Sequence, residues 1–527
     1  MALGFRGAVS APHLLASQAA IEVLRAGGNA VDAAVAAAAV SAVVQPFSSS
    51  IGGVGWATVY ERAAGRTSVL QFHGSVPAGL DPASFQPDAA GIVDWRQLER
   101  TGGSLLGSLV PGVVAGWEEL LSQKGRWTLG RVLAPAIALA SDGFPVSQLL
   151  HGHLVNNATR LGRWPASAQV FLPNGRPLQT GDRLLQRDLA TTLERIARNG
   201  AQEVTQGETA GALVAFYQQH GGVLTGEDLA GYRPSWHQPL SVGFRDHLVL
   251  SAPAPFGDVS FASGLQLLDS YGPFNGPLDP DYLHTSVESA KHVSADRVQY
   301  LGDKVDPAVI NWMLSAEHVA DMRSRIGSTA SAVRTLIPSQ EDTITLAVVD
   351  DEGNAVHLMQ TVGTLFGTAA VAGPTGIMAN SSLYFAYAHG VGANRIIPGG
   401  RIEQNPCLGM VFDGDGQLSL IVGSPGGRTR VETVRQMMVN VMDFGLNIQQ
   451  AVDAPRFLGS SDQASIDFEA LYGPVDPALR QELEARGHQV RVIDELFGSG
   501  QAIAIDHTSG ALMSAADWRR ESIALAY

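Results

Sequence analysis

The sequence predicts a globular fold that mixes α-helices and β-strands, because two different apolar patterns occur in it. In residues 11–45, apolar side chains recur close to the helical period, and Gly27-Gly28-Asn29 interrupts them where a helix end is expected. Residues 341–356, EDTITLAVVDDEGNAV, alternate in the manner of a half-buried strand and then stop at turn residues. With 527 residues, of which 45% are hydrophobic and 16% charged, the chain can bury a large core.

The other elements follow in order along the chain. The Gly-rich turn SSSIGGVGWATVY, residues 48–60, leads into a strand. From about Ser104 to Asp303 the pattern is mostly helical, with Gly and Pro between the helices. A polar stretch from Arg323 to Asp342 is a candidate linker, and the remainder is rich in strand patterns. No internal repeat is evident in the sequence, which argues against a solenoid.

Charge and composition exclude several classes of function. Lys and Arg number 35 against 50 Asp and Glu, and the net charge of -15 argues against a nucleic-acid or anionic-membrane partner. The single cysteine, Cys407, excludes an internal disulfide and thiolate zinc clusters.

The longest apolar run, Ala30 to Val44, is shorter than the roughly 20 residues of a membrane span and predicts a buried helix. Residues 1–17 lack the pattern of a secretory signal, so we expect a cytoplasmic protein.

Short glycine-rich motifs occur along the whole chain. GGNAVDAAVA (27–36) and VVQPFSSSIGGVG (43–55) come early, and GSPGG (423–427) and FGSGQAI (497–503) come late. In order and spacing they resemble the γ-glutamyltransferase family, whose members cut themselves once and use the exposed Thr as an N-terminal nucleophile. The resemblance implies an α+β fold, the αββα sandwich of N-terminal-nucleophile hydrolases, with two stacked, mainly antiparallel sheets between helical layers.

Thr343 takes the position of that family's nucleophile. An N-terminal Thr carries its own base, an α-amino group whose ordinary pKa of about 7.7 to 8.0 lets it accept the hydroxyl proton near neutral pH. While Asp342 is attached, this nitrogen is an amide, so the resemblance implies that the Thr343 hydroxyl first attacks the Asp342 carbonyl. The expected products are a large subunit, 1–342, and a small subunit, 343–527, paired as a heterodimer that could dimerise further.

The resemblance also implies roles for three other residues. Thr361 matches a second Thr whose hydroxyl supports the nucleophile, although an ordinary strand Thr is the alternative. Gly426 and Gly427 match the family's oxyanion loop, where backbone N–H groups face the tetrahedral oxyanion, although any SPGG can be a turn. This chemistry requires no cofactor. His151 and His153 are too few for a metal site, and we predict none.

The residues that would hold a glutamate substrate depart from the family pattern. Where the family binds the carboxylate and amino groups of glutamate, this chain has His73, Gly363, Ser382, Phe385, Ile402 and Glu403. Each lost charged hydrogen bond is worth about 1.5–3 kcal/mol, so a change of substrate is expected. Arg401, Arg428 and His73 are candidates for holding a different acidic group, with surface salt bridges as the alternative for each Arg.

The leading hypothesis is therefore a self-processing amidohydrolase that forms an acyl-Thr343 ester with a small acidic amide. Oxamate-like and glutaryl-like amides are both candidates, since the family contains enzymes for each. One alternative is a γ-glutamyl hydrolase or transferase with an altered glutamate site. Another is an unprocessed relative that serves as a binding or structural protein.

Overall fold

The computed structural model describes residues 1–87, 93–253, 258–331, 342–386, 392–459 and 464–527. Within these ranges the strands are β1 (Ala2–Gly4), β2 (Ala8–Ala11), β3 (Val54–Glu61), β4 (Arg66–Phe72), β5 (Phe144–Pro145), β6 (Arg183–Leu184), β7 (Ser235–His237), β8 (Leu240–Phe244), β9 (His247–Ser251), β10 (Asp342–Val349), β11 (Ala355–Gly363), β12 (Gly409–Phe412), β13 (Leu418–Gly423), β14 (Phe457–Gly459), β15 (Ser465–Glu469), β16 (Gln489–Ile493), β17 (Gln501–Asp506), β18 (Ala511–Ala516) and β19 (Ile523–Ala526). The α-helices are α1 (Leu14–Arg25), α2 (Ala30–Val44), α3 (Trp95–Arg100), α4 (Val113–Lys124), α5 (Leu129–Asp142), α6 (Gln148–Leu161), α7 (Pro165–Phe171), α8 (Arg187–Asn199), α9 (Gln202–Thr205), α10 (Glu208–Gln219), α11 (Gly226–Gly231), α12 (Asp258–Asp269), α13 (Pro280–Tyr300), α14 (Pro307–Met313), α15 (Ala316–Arg325), α16 (Arg430–Met442), α17 (Ile448–Asp453) and α18 (Pro477–Ala485).

Two seven-stranded sheets form the centre of the protein. The strand order is β19-β2-β10-β11-β3-β4-β7 in the first sheet and β1-β18-β17-β13-β12-β9-β8 in the second. Neighbouring strands are antiparallel throughout the first sheet and throughout the second. The predicted pair of antiparallel sheets is confirmed.

Packing places the two sheets face to face between layers of helices. Ala347 and Val349 of the first sheet share a buried cluster with Ile421 and Ile503 of the second. The opposite face of the first sheet, including Leu346, packs against apolar residues of α1, α2, α4 and α5. The outer face of the second sheet packs against α12, α13, α16 and α17. This arrangement confirms the αββα sandwich.

Helix α2 is the apolar run that predicted a buried helix. All of its residues are buried. At its start, the Asn29 side chain accepts hydrogen bonds from the amides of Val31 and Asp32, while the Asp32 carboxylate accepts one from the Asn29 amide. This reciprocal capping explains why the helix begins directly after the predicted Gly27-Gly28-Asn29 break. Within the described residues, no helix has the length and apolarity of a membrane span.

Strand β10 was predicted to be half-buried, and this prediction was wrong. All eight of its residues are buried. The physical reason is that helices cover one face of the first sheet and the second sheet covers the other. The alternation in the sequence therefore separates small residues facing the second sheet, such as Ala347, from larger ones facing the helices, such as Leu346.

The segments 1–342 and 343–527 interleave in both sheets. In the first sheet β10 and β11 lie between β2 and β3, and in the second sheet β12 pairs with β9. The predicted linker 323–342 begins inside α15, and its residues 332–341 lie outside the described part of the chain. The first residue described after that gap, Asp342, already belongs to β10.

Candidate active site

Thr343 lies near the start of β10, at an irregularity in the pairing with β11. Asp342 is paired with Gly363 and Ile344 with Gln360, so β11 has one residue more than β10 over this interval. Thr343 is only 2% exposed. Such bulges bend a strand and redirect its side chains, and they are common beside active sites. Here the bulge brings Thr361 of β11 to the peptide bond that precedes Thr343.

Thr361 is hydrogen-bonded to the carbonyl of the predicted cleavage site. Its Oγ1 donates to the Asp342 carbonyl oxygen at 2.5 Å and accepts from the Gly363 amide at 2.8 Å. The Gly363 amide occupies a lone pair of the Thr361 hydroxyl. The hydroxyl proton is therefore directed at the Asp342 carbonyl. A donor in this position stabilises the negative charge that develops on the oxygen when the carbonyl carbon is attacked. The contact made by Thr361 is thus to the carbonyl of the predicted cleavage site.

Arg430 contacts the predicted nucleophile. Its Nη2 donates to Thr343 Oγ1 at 2.9 Å, while Nη1 donates to the Asn405 carbonyl at 2.7 Å and Nε to the Ser424 carbonyl at 3.1 Å. Arg430 is 2% exposed, and these carbonyls hold its guanidinium in place. A buried positive charge at this distance favours an ionised or partly ionised Thr343 oxygen.

Asp342 is anchored through its side chain. Its Oδ1 accepts hydrogen bonds from the Thr343 amide at 2.7 Å and from Arg520 Nη1 at 2.6 Å. The Asp342 side chain is 2% exposed and that of Arg520 20% exposed. The carboxylate therefore fixes the orientation of the peptide group between Asp342 and Thr343.

Sequence reasoning missed Arg430 and Arg520. The only signal for Arg430 was its place three residues after the GSPGG loop, at the start of a helix. Arg520 is separated from Asp342 by 178 positions, and no motif marks it. Both contacts depend on how the two sheets and their connecting loops come together.

The predicted oxyanion loop adopts a backbone conformation that favours glycine. Gly426 has φ 127° and Gly427 has φ 52°. A Cβ at Gly426 would lie 2.5 Å from Thr429 Oγ1 and 3.0 Å from the Gly498 Cα. The loop is joined to Thr343 through Arg430, which binds the carbonyl of Ser424 at the start of the loop. The role of the two glycine N–H groups remains a prediction.

Arg401 lies close enough to His73 to influence its protonation. Burial, and secondarily the charge of Arg401, lowers the pKa of the fully buried His73 to about 3. The imidazole is therefore neutral near pH 7 and supplies no positive charge for an acidic group. Arg401 Nη1 donates to Gln71 Oε1 and, at 3.4 Å, to Ser235 Oγ.

The other positions of the expected glutamate site are apolar, ion-paired or sterically closed. Phe385 and Ile402 belong to one buried apolar cluster. Glu403 accepts hydrogen bonds from Arg297 through both carboxylate oxygens, at 3.0 and 2.9 Å. Gly363 has φ 94°, and a Cβ there would meet Ser381 Oγ at 2.7 Å.

Two further candidates complete the predicted set. Ser382 is fully buried, and its amide donates to Asn380 Oδ1 at 3.1 Å. The Arg428 side chain lies outside the part of the chain that the structure describes. The structure thus brings Asp342, Thr343, Thr361 and Arg430 into direct contact, whereas no contact joins His73 or Arg401 to Thr343 among the described interactions.

Comparisons with known proteins identify the family of the chain. Residues 16–527 match the sequence model of the family described as gamma-glutamyltranspeptidase. The glutathione hydrolase proenzyme of Escherichia coli is 34% identical, over 98% of this chain and 90% of that protein. The acylase ACY 1 proenzyme of Pseudomonas sp. (strain V22) is 32% identical, over 100% of this chain and 94% of that protein.

Solved structures give the same result. The crystal structure of cephalosporin acylase from Bacillus halodurans aligns with a TM-score of 0.90 and 28% identity, covering 100% of this chain and 96% of that one. These relatives are hydrolases and acylases, and this chain is an enzyme of the same amidohydrolase and acyltransferase kind. The chain belongs to the γ-glutamyltranspeptidase family of N-terminal-nucleophile hydrolases.

Proposed function

We propose that the chain cuts itself between Asp342 and Thr343 and then hydrolyses a small acidic amide through an acyl-Thr343 ester. The observation that carries the proposal is the 2.9 Å contact between Arg430 Nη2 and Thr343 Oγ1. It puts a buried cation beside the atom that attacks the amide. In the proposed reaction the same cation also binds a carboxylate of the substrate.

Self-cleavage is supported by the contacts around the peptide bond. Thr361 donates to the carbonyl that is attacked, and Arg430 donates to the attacking oxygen. The Asp342–Thr343 bond breaks when the Thr343 hydroxyl adds to the carbonyl and the amide nitrogen leaves as an amine. Water then hydrolyses the ester, and the new amine becomes the base for substrate turnover. The two products remain paired because they share both sheets.

The position of Arg430 favours one class of acidic amide. When Thr343 Oγ1 attacks the substrate carbonyl, only a group attached next to that carbonyl stays within hydrogen-bonding reach of Arg430 Nη2. An oxamate-like amide has its carboxylate there. A glutaryl group has methylene groups between its carboxylate and the reacting carbonyl, so its charge would lie farther from Arg430. We therefore favour a substrate of the oxamate class, the monoamide of oxalic acid.

A substrate panel tests this preference. Purified processed enzyme is assayed with oxamate, its neutral analogue oxamide, a glutaryl amide and a γ-glutamyl amide. We expect kcat/KM to be about 10- to 100-fold higher for oxamate than for oxamide, because one charge-assisted hydrogen bond contributes about 1.5–3 kcal/mol. Preferential turnover of the γ-glutamyl amide, with its α-amino group essential, would contradict the proposal.

Arg430→Gln tests the assigned cation. In protein that has completed processing, kcat/KM for oxamate should fall by about 30-fold or more, whereas kcat/KM for oxamide should fall less. The ratio of kcat/KM for oxamate to kcat/KM for oxamide separates recognition of the acid from activation of Thr343. Arg198→Gln, an exposed site on α8, removes the same charge and should leave the ratio unchanged. An unchanged ratio in Arg430→Gln would exclude its role in binding the acid.

A further inference from the structure

Two histidines and a glutamate form a buried cluster outside the candidate active site. His284 and Glu288 lie one turn apart on α13, and His488 immediately precedes β16. Their nearest ligand atoms all lie within 4.8 Å of one another, and His284 Nδ1 is 2.7 Å from His488 Nε2. All three residues are less than 5% exposed. A fully buried glutamate such as Glu288 is rare unless it is paired.

The surroundings orient these groups towards one another. His284 Nε2 is 2.9 Å from the Gly327 carbonyl, which can only accept, so Nε2 carries the proton and Nδ1 presents its lone pair to the cluster. His488 Nε2 faces this lone pair at 2.7 Å and donates its proton to it. A histidine held through its second nitrogen by a carbonyl is the usual arrangement for a metal ligand.

Glu288 is also held by neighbouring groups. Its Oε1 accepts from Lys291 Nζ at 2.6 Å, and its Oε2 accepts from the Ser331 amide at 3.1 Å. An ionised carboxylate has about four lone-pair sites, so these two bonds leave capacity for a further partner. The hydrogen bonds fix the carboxylate plane, as they do for ligating carboxylates in metal sites.

We infer that His284, Glu288 and His488 bind one divalent cation of the zinc class. Two imidazoles and a carboxylate suit zinc, whereas calcium and magnesium prefer oxygen ligands alone. Zn–N bonds of about 2.0–2.1 Å at a tetrahedral angle place the two nitrogens about 3.3 Å apart. Binding requires the proton on His488 Nε2 to move to Nδ1 of the same ring, which has no hydrogen-bond partner among the described residues. It also replaces the 2.7 Å contact between the rings with a separation about 0.6 Å larger.

The ligands come from both sides of the proposed cleavage site. His284 and Glu288 belong to 1–342 and His488 to 343–527. The segment that leads towards the cleavage site is attached to the same place, because the Ser331 amide binds Glu288 and the Ala330 amide binds the Arg486 carbonyl at 2.8 Å. The bound cation would connect the two products, with Ala330 and Ser331 of the larger one hydrogen-bonded beside it. This consequence rests on the proposed cleavage, whereas metal binding does not.

Metal binding is measured on the full chain in wild-type form and as uncut Thr343→Ala. Each protein is treated with chelator, dialysed against micromolar zinc sulfate and analysed for bound zinc by mass spectrometry. We expect one zinc per chain in both forms, and at least tenfold weaker binding in His284→Ala, His488→Ala and Glu288→Gln. His507→Ala is the control, since this exposed histidine of the loop after β17 binds only the Leu418 carbonyl among the described contacts.

Two results would overturn the inference: no zinc bound by folded wild-type protein, or undiminished binding in both histidine variants. If a variant loses its fold by circular dichroism, X-ray absorption of the zinc-bound wild type decides instead. Two imidazole nitrogens in the coordination shell support the site, and a shell of oxygens alone refutes it. Because uncut Thr343→Ala contains the same cluster, failure of self-cleavage would leave this measurement intact.

Discussion

Thr343→Ala is expected to yield a single uncut chain with no measurable amidase activity. The substitution removes the hydroxyl that attacks the Asp342 carbonyl, so the amine that serves as base is never released. Loss of a catalytic nucleophile costs about 10⁶-fold in kcat in enzymes where several groups act as a unit. A denaturing gel should show one band for the variant and two for the wild type, and N-terminal sequencing of the smaller band should begin at Thr343.

Matched variants separate the chemistry of Thr343 from damage to β10. Thr343→Ser keeps a hydroxyl and should still be cut, although more slowly. Thr345→Ala changes another buried threonine of the same strand, two residues on, and should also be cut. A wild-type chain that stays intact under conditions where it is folded would contradict self-cleavage and favour the unprocessed-relative hypothesis.

The helices and strands could be predicted from the sequence more reliably than the burial of each strand. Helix α2 could be predicted because its apolar residues, its N-terminal cap and its length are local features. Residues 342–349 also gave a clear strand pattern, but alternation does not report how many layers cover a sheet. Thr345 and Ala347 are small residues that fit the space between two sheets. In the sequence, a strand face made of such residues has the pattern of a solvent-facing side.

The residues of the candidate active site could be predicted only where they lie within a recognisable sequence motif. Thr343, Gly426 and Gly427 lie in stretches that resemble a family, whereas Arg430 and Arg520 reach the cleavage site across the fold. The candidate acid-binding residues were chosen by their place in the family pattern and by charge. His73 shows why charge is a poor guide, since burial keeps its imidazole neutral. Likewise, the histidines considered for a metal were neighbours in sequence, whereas His284 and His488 are 204 positions apart.

Thr361→Val is expected to slow self-cleavage by about 10²- to 10³-fold, the usual effect of removing one oxyanion donor. Valine keeps the shape of threonine, but no hydroxyl then donates to the Asp342 carbonyl or accepts from the Gly363 amide. The rate is measured as the disappearance of uncut chain after purification. Thr361→Ser restores the donor and should recover most of the rate, and a wild-type rate in Thr361→Val would show that the 2.5 Å contact does not assist cleavage.

Turnover by protein that has completed cleavage distinguishes two roles for Thr361. If the hydroxyl acts only on the scissile carbonyl, its contact ends when Asp342 becomes the terminus of the large product, and kcat for the amide should be nearly unchanged in Thr361→Val. If it also supports the Thr343 nucleophile, as the family resemblance implies, kcat should fall together with the cleavage rate. The structure places the hydroxyl on the carbonyl of the uncut chain, so we expect cleavage to be the more sensitive of the two rates.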